Sequence, residues 1–202
     1  TAPPTTAVAI CSYTSERPSL DGVLSDACWQ NADELRLAAG GAAGLVGNAY
    51  AFAMIAYDEQ FLYVAVTCPR ETSLPPDRPS YSGRHYDADL SRFDQVTLTL
   101  DVDRDYTTSY SLTVDQRGWT ADDCWGDTSW NPQWYVAADA DDERWRVEVA
   151  IPLEELVPAG PRRNTAWAVG ITRTLPAVRL EGWPSASDTR IHPENAALLR
   201  FD

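Results

Sequence analysis

The residues best equipped for chemistry crowd into one stretch, D-D-C-W-G-D-T-S-W-N-P-Q-W-Y-V, from Asp122 to Val136. It carries Trp125, Trp130 and Trp134, with Tyr135 directly after the last. An indole either fills a core, with its N–H given to a buried acceptor, or lies exposed as a flat apolar plate for a ligand. The phase of the neighbours separates the two. Trp134 is in phase with Val136 and Ala138, Trp145 with Val147, Val149 and Ile151, and Trp167 with Val169 and Ile171. These three are expected to face a core, with Trp29 closing one end of it and backbone carbonyls accepting the indole N–H groups. Trp130, before Asn131-Pro132, also reads as structural. Trp125 differs: it sits among Asp122, Asp123, Gly126 and Asp127, a polar loop with no alternation. Trp183, in Glu181-Gly182-Trp183-Pro184-Ser185, and Trp119, after Gly118 at a turn, also lie in loops. Trp125 and Trp183 are the expected ligand platforms. An apolar ligand face stacked on such a ring leaves water at about 25 cal/mol per Å². Polar groups at the ligand's rim need polar partners. Arg173, just before the Trp183 loop, is the expected one.

Asp101-Val102-Asp103-Arg104-Asp105 places three carboxylates at alternate positions. Hard cations take several oxygens, so Asp101, Asp103 and Asp105 form a candidate Ca²⁺ site, without the glycine and distant glutamate of an EF-hand. No G-x-S-x-G, phosphate loop, H-E-x-x-H or Cys/His arrangement occurs, and no pair of acids carries a hydrolase signature. The expectation is a non-catalytic protein. There are 16 basic and 30 acidic residues, a net charge of −14, and every basic side chain other than the two histidines is arginine. A field of that sign repels nucleic acid and anionic lipid and attracts cations. No apolar run reaches the length of a membrane-spanning helix. Cys11, Cys28, Cys68 and Cys124 contain no C-x-x-C pair. With two histidines in the chain a zinc site is not expected, and two disulfides in any of three pairings stay open.

The elements that must position these residues are strands. Val96–Leu100, Tyr110–Val114 and Trp145–Ile151 alternate apolar and polar residues, the mark of one dry and one wet face. Ala51–Tyr57 and Phe61–Thr67 are apolar throughout and flank Asp58-Glu59-Gln60, so they read as central strands joined by a hairpin. Ala166–Thr172 and Ala197–Phe201 add two more. Helix is confined to one or two turns: one after a Ser25 or Asp26 cap, one over Pro152–Leu156. Pro- and Gly-rich breaks fall at Leu74–Gly83 and Val157–Pro161, and neither separates two cores. The expected fold is all-β: a two-sheet antiparallel β-sandwich over residues 16–202, preceded by a linker and first strand over residues 1–15.

Four motifs, in order, carry a resemblance. P-S-L-D-G-V-L-S-D-A-C-W (Pro18–Trp29) is similar to the opening of the family 9 carbohydrate-binding modules and the wider DOMON-like superfamily. I-A-Y-D-E-Q-F-L-Y-V-A-V (Ile55–Val66), F-D-Q-V with L-D-V-D (Phe93–Val96, Leu100–Asp103), and W-R-V-E-V-A-I-P (Trp145–Pro152) match later signatures. The resemblance implies a β-sandwich and, in its carbohydrate-binding members, a sugar held between aromatic rings, often with structural Ca²⁺. Those members carry a tryptophan shortly before the strand that here begins at Asp94. This chain reads Asp89-Leu90-Ser91-Arg92-Phe93 there, so Phe93 or Tyr86 takes that place. The expectation is therefore a carbohydrate-binding module using Trp183, Trp125, Tyr86 and Phe93 with Arg173. Its partners would be a polysaccharide or oligosaccharide and other domains of a larger secreted, periplasmic or cell-surface protein, with no membrane insertion. The alternatives are a structural or interaction sandwich without sugar binding and a haem-binding DOMON-like domain. The latter would draw on Met54, His85 or His192; Met54, in an apolar strand, reads as core filler.

Overall fold

In the structure, a computed structural model, residues 6–39, 50–71, 74, 83–158, 160–184 and 190–202 are described. The start of the expected linker, most of the Leu74–Gly83 break, Ala159 of the second break and Ser185 of the Trp183 loop lie outside them.

Twelve strands and two short helices occur among the described residues. The front sheet runs β7 (Thr120–Cys124), β6 (Tyr110–Asp115), β5 (Gln95–Asp101) and β10 (Ala166–Leu175). Beside β10 lie β12 (Ala197–Phe201) along its first half and β11 (Arg179–Trp183) along its second. The back sheet runs β8 (Tyr135–Ala140), β9 (Arg144–Pro152), β4 (Phe61–Pro69), β3 (Ala51–Tyr57) and β2 (Leu35–Ala39). On one side two strands stitch the sheets together. β2 pairs with β3 through Leu35–Leu37 and with β11 through Ala38 and Ala39. β1 (Val8–Tyr13) pairs with β12 through Val8–Cys11 and with β3 through Ser12 and Tyr13. Both β1 pairings are parallel, where the sequence suggested an antiparallel arrangement; every other strand pair is antiparallel. On the other side β7 and β8 are the outermost strands of their sheets.

The alternating strands send Val96, Leu98, Leu100, Leu112, Val114, Val169 and Ile171 inward from the front sheet. They meet Val64, Val66, Val147, Val149 and Ile151 from the back. β3 and β4 are apolar on both faces because the outer face of the back sheet is covered too. Met54, Ala56, Tyr63 and Ala65 pack under Cys28 and Trp29 of α1 (Ala27–Asn31). α2 (Leu153–Leu156) follows β9 and buries Leu153 and Leu156.

Trp29, Trp134, Trp145 and Trp167 are buried as expected, and Trp130 packs on the core against Tyr110. Three of the indole N–H groups go to buried carboxylates rather than backbone carbonyls. Trp29 donates to Glu148 at 2.8 Å, Trp134 to Asp122 at 2.9 Å and Trp145 to Asp94 at 2.8 Å. Glu148 also accepts the backbone N–H of Asp21 and Gly22, so the Leu20-Asp21-Gly22 turn and Trp29 are tied to one buried acid on β9. Gly22 has φ +81° and sits where a Cβ would lie 2.8 Å from the Asp139 backbone nitrogen, so only glycine fits. The four cysteines are unpaired. Burial pushes the Cys28 thiol up to about 11, and Cys11 and Cys68 well above their usual value.

Candidate functional site

The alternation that buries one face of the front sheet presents the other as a floor of short polar side chains. Gln95 and Thr97 of β5, Ser111 and Thr113 of β6 and Thr174 of β10 line a groove of about 540 Å³. Thr97 and Thr113 share a hydrogen bond of 2.9 Å across the strands. The 88–91 segment forms one wall, with Asp89 in it, and Arg190 contributes at the rim. At the other wall stand Asp123, Trp125 and Gly126.

Trp125 is 54% exposed, and its backbone lies in the left-handed region, at φ +56°. For a bulky side chain that conformation costs on the order of 1–2 kcal/mol and persists only where the surroundings impose it. They do here. Its N–H donates to the Ser109 carbonyl at 2.8 Å, the Gly126 N–H to the Asp123 carboxylate at 2.6 Å, and Cys124 and Asp127 exchange backbone bonds around the turn. A strained, well-tied turn thus holds an apolar ring in water beside a hydroxyl-rich floor.

The five residues proposed from sequence do not gather around one gap. Trp125 lines the front groove. Tyr86 is 59% exposed but lines a different groove, at the β7–β8 edge. Phe93 has its ring covered by the Arg117 guanidinium, 3.3 Å from the centroid, and Arg117 also covers Trp119. Trp183 lies directly opposite Ile171 on β11, shares its inward face and packs against the core. Arg173, expected at the rim, is interior, at 1% exposure. Its guanidinium holds the Asp94 carboxylate through two nitrogens at 2.9 and 2.6 Å, Glu181 at 3.0 Å and the Pro69 carbonyl at 2.6 Å. Its donors are committed to the protein, so the rim role falls away. The signal was present in the sequence: Arg173 is in phase with Trp167, Val169 and Ile171.

The groove floor escaped sequence reading, although Gln95, Thr97, Ser111 and Thr113 hold the outward positions of strands whose alternation was recognised. What a residue-by-residue view misses is that β5, β6 and β10 lie side by side, so three unremarkable threonine- and serine-bearing faces merge into one surface.

The acidic turn forms as its spacing suggested. Oxygens of Asp101, Asp103 and Asp105 lie within 4.8 Å of one another, with Asp101 buried and the other two exposed. Asp101 accepts the backbone N–H of Arg104 and Tyr106, both at 2.7 Å, while burial, with Asp103 alongside, keeps its carboxyl above the usual value. The donor set, carboxylate oxygens only, suits a hard cation.

No protein-family model and no curated protein matches the sequence. Solved structures do resemble the fold. A family 9 carbohydrate-binding module from Caldicellulosiruptor kristjanssonii, in complex with glucose, superposes with a TM-score of 0.67 at 18% identity, over 96% of this chain and 95% of that one. The same module with cellotriose gives a TM-score of 0.67 at 18% identity, over 96% and 93%. A Bacteroides uniformis protein, provisionally assigned as carbohydrate-binding, gives 0.68 at 11% identity over 98% and 100%. The likeness spans essentially the whole of each chain, and the conclusion it supports is that this chain has the fold of the family 9 carbohydrate-binding modules.

Proposed function

We propose that this chain is a non-catalytic carbohydrate-binding module whose site is the front-sheet groove. The observation that carries the reading is Trp125, a ring held exposed in a strained turn beside a floor of hydroxyls and an amide. A pyranose offers the complement: a C–H face for the indole, and hydroxyls that both donate and accept for Thr97, Ser111, Thr113 and Gln95. The structural neighbour solved in complex with glucose and with cellotriose supports the same ligand class. Covering about 60 Å² of the indole contributes on the order of 1.5 kcal/mol, about tenfold in affinity. Calorimetry with glucose, cellotriose, xylotriose and mannotriose tests the reading. Trp125→Ala is expected to weaken binding about tenfold with the fold intact. Sugar binding that ignores this change would remove the site, and product formation on prolonged incubation would remove the non-catalytic assignment.

Among the described residues Trp125 is the only aromatic lining this groove, and that favours a second reading, an interaction domain that kept the fold without binding sugar. Absence of heat with every sugar would select it. Two further parts belong to the proposal: a secreted, periplasmic or cell-surface setting within a larger protein, and a structural Ca²⁺ held by Asp101, Asp103 and Asp105. A bound ion stabilises the folded state by mass action. Millimolar Ca²⁺ is expected to raise the Tm of chelator-treated protein by a few degrees, and no shift would remove the ion.

A further inference from the structure

The open edge between β7 and β8 carries a second groove, of about 600 Å³, that differs in construction from the first. The 85–88 segment runs beside β7: the Thr120 N–H donates to the His85 carbonyl and the Ala88 N–H to the Thr120 carbonyl. It therefore stands between the two grooves, with Ala88 lining the front one and Tyr86 the edge one. The Arg84 guanidinium is clamped between two rings, 4.3 Å from the Tyr86 centroid and 4.4 Å from that of Trp134. It donates to the Thr120 hydroxyl at 2.8 Å and to the Trp134 carbonyl. Tyr86 thus rests on a fixed cation over a buried indole and keeps much of its surface in water. Tyr135, at the start of β8, is 49% exposed and is held edge-on by Phe61. Asn131, Pro132 and Gln133 complete the lining.

The chemistry of this lining selects an occupant. In a chain of net charge −14, the described residues that line the groove include no carboxylate, and their one charge, Arg84, sits between two rings with two hydrogen bonds and a buried Nη2 that has no partner among the described residues. None of these described residues attracts a cation, and the Arg84 Nη2 left over is buried, out of an anion's reach. Two supported phenol rings and two planar side-chain amides suit a neutral ligand with apolar C–H faces and a hydroxyl rim. The supports matter because a ring already fixed loses little side-chain entropy on binding. We infer that the β7–β8 edge groove is a second, independent binding site for a neutral glycan, with Tyr86 and Tyr135 as its platforms. The inference rests on reading the chain as carbohydrate-binding. Two sites on one module would grip two stretches of a polysaccharide and raise avidity without any new contact.

Amide-resolved NMR titration of the full chain with glucose, cellotriose, xylotriose and mannotriose tests it. Two groups of amides are expected to shift with separate midpoints: Ser111, Thr113, Trp125 and Gly126 for the front groove, and Tyr86, Asn131, Gln133 and Tyr135 for the edge. Tyr86→Ala combined with Tyr135→Ala is expected to move the edge midpoint about tenfold and leave the front one in place, with Trp125→Ala doing the reverse. Shifts confined to the front group overturn the inference and leave the proposed function standing. Shifts confined to the edge support the inference and overturn the front-groove site. No shifts with any of the sugars at millimolar concentration overturn both.

Discussion

The two faces of the front sheet are made by the same strands and solve opposite problems. On the inner face Val96, Leu98, Leu112, Val114 and Ile171 meet the back sheet, and the Arg173 guanidinium is held there by Asp94, Glu181 and the Pro69 carbonyl. Arg173 lies directly across from Glu181 in the pairing of β10 with β11 and also holds Asp94, which accepts the Trp145 N–H. On the outer face Gln95, Thr97, Ser111, Thr113 and Thr174 line a groove beside a tryptophan that no core covers. The difference teaches how to tell a structural polar group from a binding one. Around Arg173 donors and acceptors are matched within the protein, because an unmatched buried charge costs several kcal/mol. Outside, short hydroxyls and one exposed ring are left for water or a ligand, and an energetic cost is tolerated to keep the ring there.

The comparison breaks most easily at Arg173. Arg173→Ala leaves Asp94 a buried acid without its cation and leaves Glu181 with Arg179 alone, and is expected to cost about 3–5 kcal/mol, read as a fall in denaturant midpoint. A cost near zero would mean that the inner network is not structural. Trp125→Gly sharpens the other side. Glycine accepts φ +56° without strain, so the variant is expected to be about as stable as the parent or more stable by about 1 kcal/mol, while sugar binding falls. Marked destabilisation by this change would make Trp125 a packing residue and erase the distinction between the faces.

The smallest effect is expected at Asp122, on the inner side at the edge of the sheet. Burial raises its carboxyl above the usual value, with the Trp134 N–H and Arg84 pulling the other way. A raised folded pKa means that the folded state binds the proton more tightly than the unfolded chain. This group's contribution to stability is therefore full below the ordinary aspartate pKa, and is lost as pH rises from there through the raised value. Asp122→Asn keeps an oxygen for the Trp134 N–H and has no such titration. Its stability relative to the parent is expected to improve with rising pH across that window in paired melts. A difference independent of pH would show that Asp122 titrates as it does in the unfolded chain.

Much of the fold was legible because alternation is a local property. β5, β6, β9 and the hairpin joining β3 to β4 follow from runs of five to seven residues and one turn. The burial of Trp134, Trp145 and Trp167 followed from their phase with neighbouring valines and isoleucines. β1 falls in the first strand expected over residues 1–15, but β2, β7, β8 and β11 were not assigned: they are short or carry polar residues on both faces, as in Thr-Ala-Asp-Asp-Cys of β7. The site was less legible. Arg173 and Trp183 were placed at the rim by their nearness in sequence to a loop, although the register of β10 and β11 turns both inward. The exposure of Trp125 was legible because a large ring in a polar loop is anomalous on local grounds.

By itself the sequence determined which residues could face water and which could not, since the side-chain direction in a strand reverses at every residue. Tertiary structure decided which faces met. Gln95, Ser111 and Thr174 come from three strands spread over 80 residues of chain, and hydrogen-bonded pairing alone brings them onto one floor. The same pairing set Trp125 and Tyr86 in separate grooves, on either side of the segment that runs beside β7. Strand alternation is a property of neighbours along the chain, whereas a binding surface belongs to neighbours across the sheet, and the energy that selects those partners is spread over the whole core.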